Sequence, residues 1–287
     1  MTFSVIVPVY KNWEVFKKCY SHLQSQNIEE SNFEILIINN SLDTPIPVSL
    51  KLSANTQVFN QPTPGSYACR NLGASMANGE YLAFTDSDCL PSEDWLEKAK
   101  EIFVKGADLI GGKVEVFKEQ DGTELAYDFE RTFAFNQKKN ILEKSQSVTA
   151  NLFVKKKVFE TAGPFKEQLL SGGDFEWTRR AVSSGFKLEY GEEVVVAHPA
   201  RLSISEIAKK RKRTSGGFYF REYQDYNFLE KLKYILVMGR PRISILNYKN
   251  FNSKRRFELF FATWFIEIQG ILEILKIQFG LKKAERQ

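Results

Sequence analysis

Between residues 3 and 117, short runs of Val, Ile, Leu and Phe alternate with segments whose apolar residues recur every three or four positions. "FSVIVPV" (3–9), "FEILIIN" (33–39), "TQVFN" (56–60), "EYLAFT" (80–85) and "DLIGGKVEVF" (108–117) have the β-branched content and length of strands. The spacing predicts helices over 12–26, 66–78 and 92–105. In the first of these, Val15, Phe16, Cys19, Tyr20 and Leu23 share one helical face. Asn12 and Ser92 are placed to cap the first and third helices, and Gly79 to close the second. Strand, helix, strand at this spacing predicts an α/β fold with a mostly parallel sheet and helices on both faces. Such sheets bind ligands beyond the carboxyl ends of their strands. Attention therefore falls on residues 8–11, 39–43 and 86–88, which should converge on one crevice.

The chain has 287 residues, room for one large or two small domains. With 43% hydrophobic and 26% charged residues it has the composition of an ordinary folded protein, which excludes wholesale disorder. The opening "MTFSVIVPVYKNW" has neither the basic segment nor the longer apolar core of a signal peptide. Cys19, Cys69 and Cys89 show no metal spacing and no disulfide framework, so a reducing, cytoplasmic location is expected. His22 and His198 are too few for a zinc centre of the usual kind. No G-x-G-x-x-G follows the first strand, and no G-x-x-x-x-G-K-[ST] occurs. A phosphate-bearing ligand would need some other neutralising device.

"LAFTDSDCLP" (82–91) offers one. A buried run ends in Asp86-Ser87-Asp88, two carboxylates one residue apart. In extended chain such residues point the same way, and hard cations such as Mg2+ or Mn2+ take one or two carboxylates together with substrate phosphates. By itself the triplet reads rather as a polar turn or an Asx cap ahead of the helix.

Its company changes that. "SVIVPVYKN", "FEILIINNSLD", "PGSYACRNLGASMANGEYLAFTDSDCLPSEDWLE", "SVTANLFVKKKVFETAGPF" and "GGDFEWTRRAVSSGFKLEYGEEVVVAH" occur in this order over about residues 3–200. Together they resemble a family 2 glycosyltransferase, an inverting enzyme that uses nucleotide-diphosphate sugars. The resemblance implies a GT-A fold: a Rossmann-like, mixed, mostly parallel sheet flanked by helices over 1–200. The nucleotide-sugar half would be 1–110 and the acceptor half 111–200, with a C-terminal helical extension over 201–287. It places Val7, Pro8 and Tyr10 against the nucleoside, and Arg70 near the donor diphosphate or sugar. Asn39 stands where the family usually has an Asp that reads uracil, and its amide both donates and accepts, so the base stays open. Asp88 becomes the main metal ligand, with Asp86 and Ser87 beside it, and His198 a further ligand. Mn2+ or Mg2+ is the implied cofactor. Asp174 aligns with the general base, and Glu176 with an acid two residues on. Gly173 stands where the family often has another acid. Asn151 matches a position that lines the acceptor or donor pocket.

The implied activity is metal-assisted transfer of a sugar to a glycan or lipid-linked hydroxyl, in the assembly of a surface glycan or glycolipid. The alternative is a non-catalytic nucleotide-sugar or glycan-binding relative. Asn39 and Gly173 suit it, whereas Asp86, Asp88 and Asp174 argue against it. A nucleotidyltransferase would want a basic, Gly-rich loop after the first strand, where "PVYKNW" has only Lys11.

Charge separates the C-terminal part from the rest. Residues 1–200 carry a net charge of −6 and residues 201–287 one of +11. "AKKRKR" (208–213) and Lys254-Arg255-Arg256 are basic clusters. "FELFFATWFIEIQGILEILKIQF" (257–279) is apolar but for Glu258 and a stripe at Glu267, Gly270, Glu273 and Lys276. These charges make it a poor membrane span. The stripe predicts an amphipathic helix, lying on an anionic bilayer surface or packed against protein. No base-reading module accompanies the basic residues, so a nucleic-acid partner is not expected. Peripheral contact at the cytoplasmic face of a membrane is.

Overall fold

The computed structural model describes residues 1–282. They divide into two compact units: Met1–Glu115 with Asn136–Glu167 and Gly173–His198, and Val116–Phe135 with Gln168–Gly172 and Pro199 onward.

The first unit is built on an eight-stranded sheet. Its strands are β1 (Phe3–Val9), β2 (Phe33–Asn39), β3 (Thr56–Asn60), β4 (Tyr81–Thr85), β5 (Leu90–Pro91), β6 (Leu109–Phe117), β7 (Asn151–Lys155) and β8 (Leu188–Pro199), in the spatial order β3-β2-β1-β4-β7-β6-β8-β5. Helices α1 (Trp13–Gln24), α2 (Ser66–Met76) and α3 (Trp95–Val104) follow β1, β3 and β5. Strand β1 lies parallel to β2 and β4, with Ile6 opposite both Leu36 and Phe84. Alternation along β1 serves two cores. Phe3, Val5, Val7 and Val9 pack with Trp13, Phe16, Cys19 and Leu23 of α1 and Trp95 and Phe103 of α3. Ile6 packs on the other face with Cys69 and Ala74 of α2. A strand buried on both faces reads as a continuous apolar run, which is why these strands were visible in the sequence.

The expected parallel character holds for β3-β2-β1-β4 only. Strand β7 runs antiparallel to β4 and to β6, and β5 antiparallel to β8. Apolar periodicity does not encode strand direction, so the sheet is mixed to a greater degree than predicted. Ser92 is not a helix cap. Helix α3 begins three residues later, because Leu90 and Pro91 are drawn into pairing with Ala197 and Val196. Helices α5 (Gln137–Lys144), α6 (Lys156–Ala162) and α7 (Gly173–Ser183) complete the unit, α5 after α4 (Glu124–Phe133), which belongs to the second.

The second unit is helical: α4, α8 (Ile204–Arg221), α9 (Phe228–Met238) and α10 (Ser253–Gln278). Helix α10 packs along α8 and touches α4 and α9. Most of its polar stripe is engaged with the neighbouring segments, and Lys276 alone of the four is exposed. Gly270 and Glu273 are buried, and Glu267 accepts hydrogen bonds from Arg211 at 2.7 Å and Arg242 at 3.0 Å. Glu273 pairs with Lys282 at 2.9 Å. At Gly270 a Cβ would lie 2.7 Å from Ser215 Oγ, so the glycine permits close approach of α8. Cations on the neighbouring segments turn the acids inward. The residues left outside are Phe257, Phe261, Trp264, Phe265 and Leu272, together with Phe228, Leu229, Leu232, Leu236 and Val237 of α9. Among the described residues, no helix is long and apolar enough to cross a membrane.

Candidate active site

Parallel pairing brings the carboxyl ends of β1, β2 and β4 side by side, as the alternation predicted. Beyond β1, Pro8 is half-buried and Tyr10 is exposed. Lys11 adopts a left-handed backbone (φ 61°) and pairs with Asp43 at 3.4 Å, which ties the ends of β1 and β2 together. At the end of β2 the Asn39 side chain is buried and turned inward. Its Oδ1 accepts from Ser41 N at 3.0 Å and its Nδ2 donates to Asn60 Oδ1 at 3.0 Å. Asn40 donates to the carbonyls of Gln61 and Thr63 and accepts from Gly65 N. The "INN" turn thus holds the loop leading into α2.

Beyond β4, Asp86 to Cys89 form a turn closed by Cys89 N donating to Asp86 O at 3.1 Å. Arg70 of α2, only 4% exposed, donates to Asp86 Oδ1 at 2.5 Å. Removal of this guanidinium from water is offset by the carboxylate it meets. Ser87 sits between the two acids at the crest of the turn. Ligand atoms of Asp86, Asp88, Cys89 and His198 all lie within 4.8 Å of one another. His198 Nε2 stands 3.8 Å from Asp88 Oδ2, too far for a hydrogen bond but suited to sharing a cation. Two carboxylates and an imidazole fit Mn2+ or Mg2+. Cys89 was not anticipated here. Burial, with the charges of Asp86 and Asp88 adding to it, pushes its thiol well above the ordinary range, so it offers no thiolate.

The opposite wall is the start of α7. Asp174 is half-buried, and its Oδ1 accepts from Phe175 N at 3.0 Å. Burial pushes its carboxyl above the usual carboxylate range, against the pull of Arg70 and with a further push from Asp86. Arg70 thus acts on both Asp86 and Asp174, and the sequence-predicted groups Arg70, Asp86, Asp88, Asp174 and His198 form one electrostatic neighbourhood. Tyr67, one turn before Arg70 on α2, also reaches this wall: its hydroxyl bonds both Gly173 N and the Asp174 carboxylate. Nothing in the sequence singled it out beyond that i, i+3 spacing.

Two expected site residues are engaged within the protein, Glu176 in part by Arg180 four residues on in its own helix, as their spacing allows. Glu176 pairs with Lys166 at 2.9 Å and Arg180 at 3.2 Å. Though burial works against it, these two cations hold its carboxyl below the usual range. Asn151 is fully buried. It accepts from Trp95 Nε1 at 2.9 Å and donates to the carbonyls of Lys113 and Val194, each at 2.8 Å. All its polar atoms are engaged inside the protein, where it joins β6, β7, β8 and α3 behind the site. The expectation that it lines a pocket meets a side chain with no surface to present.

Comparison with known proteins places this geometry. The model of the family described as "Glycosyl transferase family 2" matches residues 4–162. Glycosyltransferase AglE of Haloferax volcanii is 37% identical over 220 residues, 75% of this chain and 72% of that protein. A dolichyl N-acetyl-alpha-D-glucosaminyl phosphate 3-beta-D-2,3-diacetamido-2,3-dideoxy-beta-D-glucuronosyltransferase of Methanococcus voltae is 22% identical, covering 72% of this chain and 70% of that one. Among solved structures, the mannosyltransferase PcManGT of Pyrobaculum calidifontis, in complex with GDP-Man and Mn2+, superposes with a TM-score of 0.60 at 14% identity, covering 98% of this chain and 88% of that one. S. aureus TarS 1-349 in complex with UDP-GlcNAc gives a TM-score of 0.52 at 15% identity, over 98% and 92% of the two chains. At such identities these two speak for the fold.

Proposed function

The chain belongs to glycosyl transferase family 2 and is a glycosyltransferase, and from that premise we propose an inverting, metal-assisted transfer with Asp174 as general base. The donor is a nucleotide-diphosphate sugar and the acceptor a hydroxyl of a glycan or lipid-linked glycan. One observation carries the reading: a single turn of α2 contacts both acidic groups, Arg70 pairing with Asp86 of the Asp86, Asp88 and His198 cluster and Tyr67 with the Asp174 carboxylate. The ligands of the structural neighbours, GDP-Man with Mn2+ in one and UDP-GlcNAc in another, support a diphosphate donor at this sheet edge.

Asp86, Asp88 and His198 would hold a divalent cation, which supplies charge stabilisation to a departing nucleoside diphosphate. Asp174 takes the proton of the acceptor hydroxyl as that oxygen bonds to the anomeric carbon. The bond from that carbon to the diphosphate oxygen breaks on the opposite face, so configuration inverts. A carboxyl lifted by burial is a stronger base than one in water, which suits this role. The positive side chain of Arg70, paired with Asp86 and one turn from Tyr67 on α2, would attract the donor diphosphate.

The test is a screen of UDP- and GDP-sugars with Mn2+, with Mg2+ and with chelator, reading nucleotide release and the anomeric configuration of the product by NMR. Metal-dependent release with an inverted product is expected; a retained configuration overturns the mechanism.

We further infer peripheral contact with the cytoplasmic face of a membrane through the second unit. Aromatic and aliphatic side chains exposed on α9 and α10 lie in the part of the chain that carries the +11 charge. Apolar groups for the acyl boundary and cations for anionic headgroups are the two attractions such binding needs. All three cysteines are free, in keeping with a reducing compartment. Flotation with phosphatidylglycerol vesicles should recover the full-length protein, and the Phe261→Ser, Trp264→Ser double variant should float less. Equal flotation of both removes this inference.

A further inference from the structure

Gly173 precedes the proposed base, and the space that a side chain there would fill is taken. A Cβ on Gly173 would lie 2.7 Å from Cε2 and Cζ of Tyr67. That ring stacks on Phe165, with centroids 5.8 Å apart and planes at 27°, and Phe165 in turn packs on Trp177 of α7 at 5.2 Å. The tyrosine is therefore wedged against the first turn of α7 and braced from behind.

Its hydroxyl is fully used. A phenol has one proton to donate and two lone pairs to accept with. Tyr67 Oη accepts from Gly173 N at 2.8 Å and from Asp174 N at 3.4 Å, and it donates to Asp174 Oδ1 at 3.4 Å. The first N–H groups of a helix have no partner within the helix. Tyr67 satisfies two of them from a residue 106 and 107 positions away in sequence. Arg70, on the same face of α2, lies 5.8 Å from the Tyr67 ring and carries the ion pair to Asp86. One turn of one helix thus contacts both the proposed base and the proposed metal-binding acids.

We propose that Tyr67 is the positioning residue of Asp174: its hydroxyl fixes the first turn of α7 and the direction of the carboxylate, and Gly173 is the partner that makes room for the ring. The second acid that might have stood at 173 is replaced by a phenol from α2. This rests on the reading of Asp174 as base. A base must be held close to its productive geometry by groups that are themselves held, and misplacement of about 1 Å costs on the order of 100-fold in rate.

The test is Tyr67→Phe in the full-length protein, which keeps the ring and removes the hydroxyl. Expected is a fall in kcat of roughly 30-fold, with KM for the donor and Kd for UDP and GDP in Mn2+ within about twofold of wild type. A merely structural role would not separate kcat from binding in this way. In an Asp174→Asn background, Tyr67→Phe should change kcat no further. Gly173→Ala should lower kcat when Tyr67 is present and add nothing to Tyr67→Ala, since the clash is with the ring. If Tyr67→Phe turns over within twofold of wild type while Asp174→Asn is inactive, the role of Tyr67 is wrong and the base stands. If Asp174→Asn turns over normally, the base reading falls and this inference with it.

Discussion

The two units use their polar groups to different ends. In the sheet unit, three buried polar side chains are joined to a part of the site or its support: Asn39 to the β2 turn, Arg70 to Asp86, Asn151 to the sheet behind His198. In the helical unit, acids of α10 are paired with cations of the same unit, half-buried Glu267 with Arg211 and Arg242 and buried Glu273 with Lys282. Phe257, Phe261, Trp264, Phe265 and Leu272 of α10 are left outside. Both sets of groups have partners within the fold; in the sheet unit the pairs shape the site and its backing, whereas in the helical unit they hold helices together.

That contrast can be broken. The largest effect is expected at Asp88, the proposed main metal ligand. Asp88→Asn should weaken Mn2+-dependent binding of UDP or GDP by on the order of 100-fold or more, measured by calorimetry with and without metal. Unchanged metal dependence would mean the strand-end acids are as self-contained as those of α10. Next comes Asn151. Asn151→Leu leaves Trp95 Nε1 and the carbonyls of Lys113 and Val194 unpaired in a dry interior. It should cost on the order of 3–5 kcal/mol in denaturant unfolding. A smaller effect belongs to Glu267→Gln, about 1–2 kcal/mol, since Arg242 is half-exposed and solvent screens part of the interaction. A loss in turnover there would contradict the separation of roles.

The smallest effect concerns stability and pH. Burial raises the Asp174 carboxyl above its ordinary value, so folding favours its protonated form. The stabilisation is complete below the unfolded pKa and is lost as pH rises through the folded one. Near pH 7 the ionised carboxylate therefore costs stability, and Asp174→Asn should melt at a slightly higher temperature than wild type. The gain should shrink as the pH falls through the acid range. A variant less stable at pH 7 would contradict the assigned direction of the shift.

Much of this was legible before any coordinates. Strands buried on both faces announce themselves as apolar runs, and Asp86-Ser87-Asp88 marks the point where one leaves the core. Asp174 was legible through the "GGDFEW" segment opening a helix. Three features were not. The direction of β7 and β8 does not show in apolar periodicity. The inward turn of the α10 stripe depends on Arg211 and Arg242, which lie 56 and 25 residues away from Glu267 in sequence. Tyr67 joins the site through a tertiary contact with α7, and Cys89, though next to Asp88 in sequence, has no metal-ligand spacing to mark it. Asn151, expected to line a pocket, is fully buried and bonded to backbone carbonyls and an indole.

The measurement that bears most directly on the central claim is made on Asp174→Asn. Transfer and nucleotide release should fall on the order of 1,000-fold or more, while Kd for UDP and GDP in Mn2+ stays within about twofold of wild type. Turnover at the wild-type rate, with binding intact, would show that another group takes the acceptor proton.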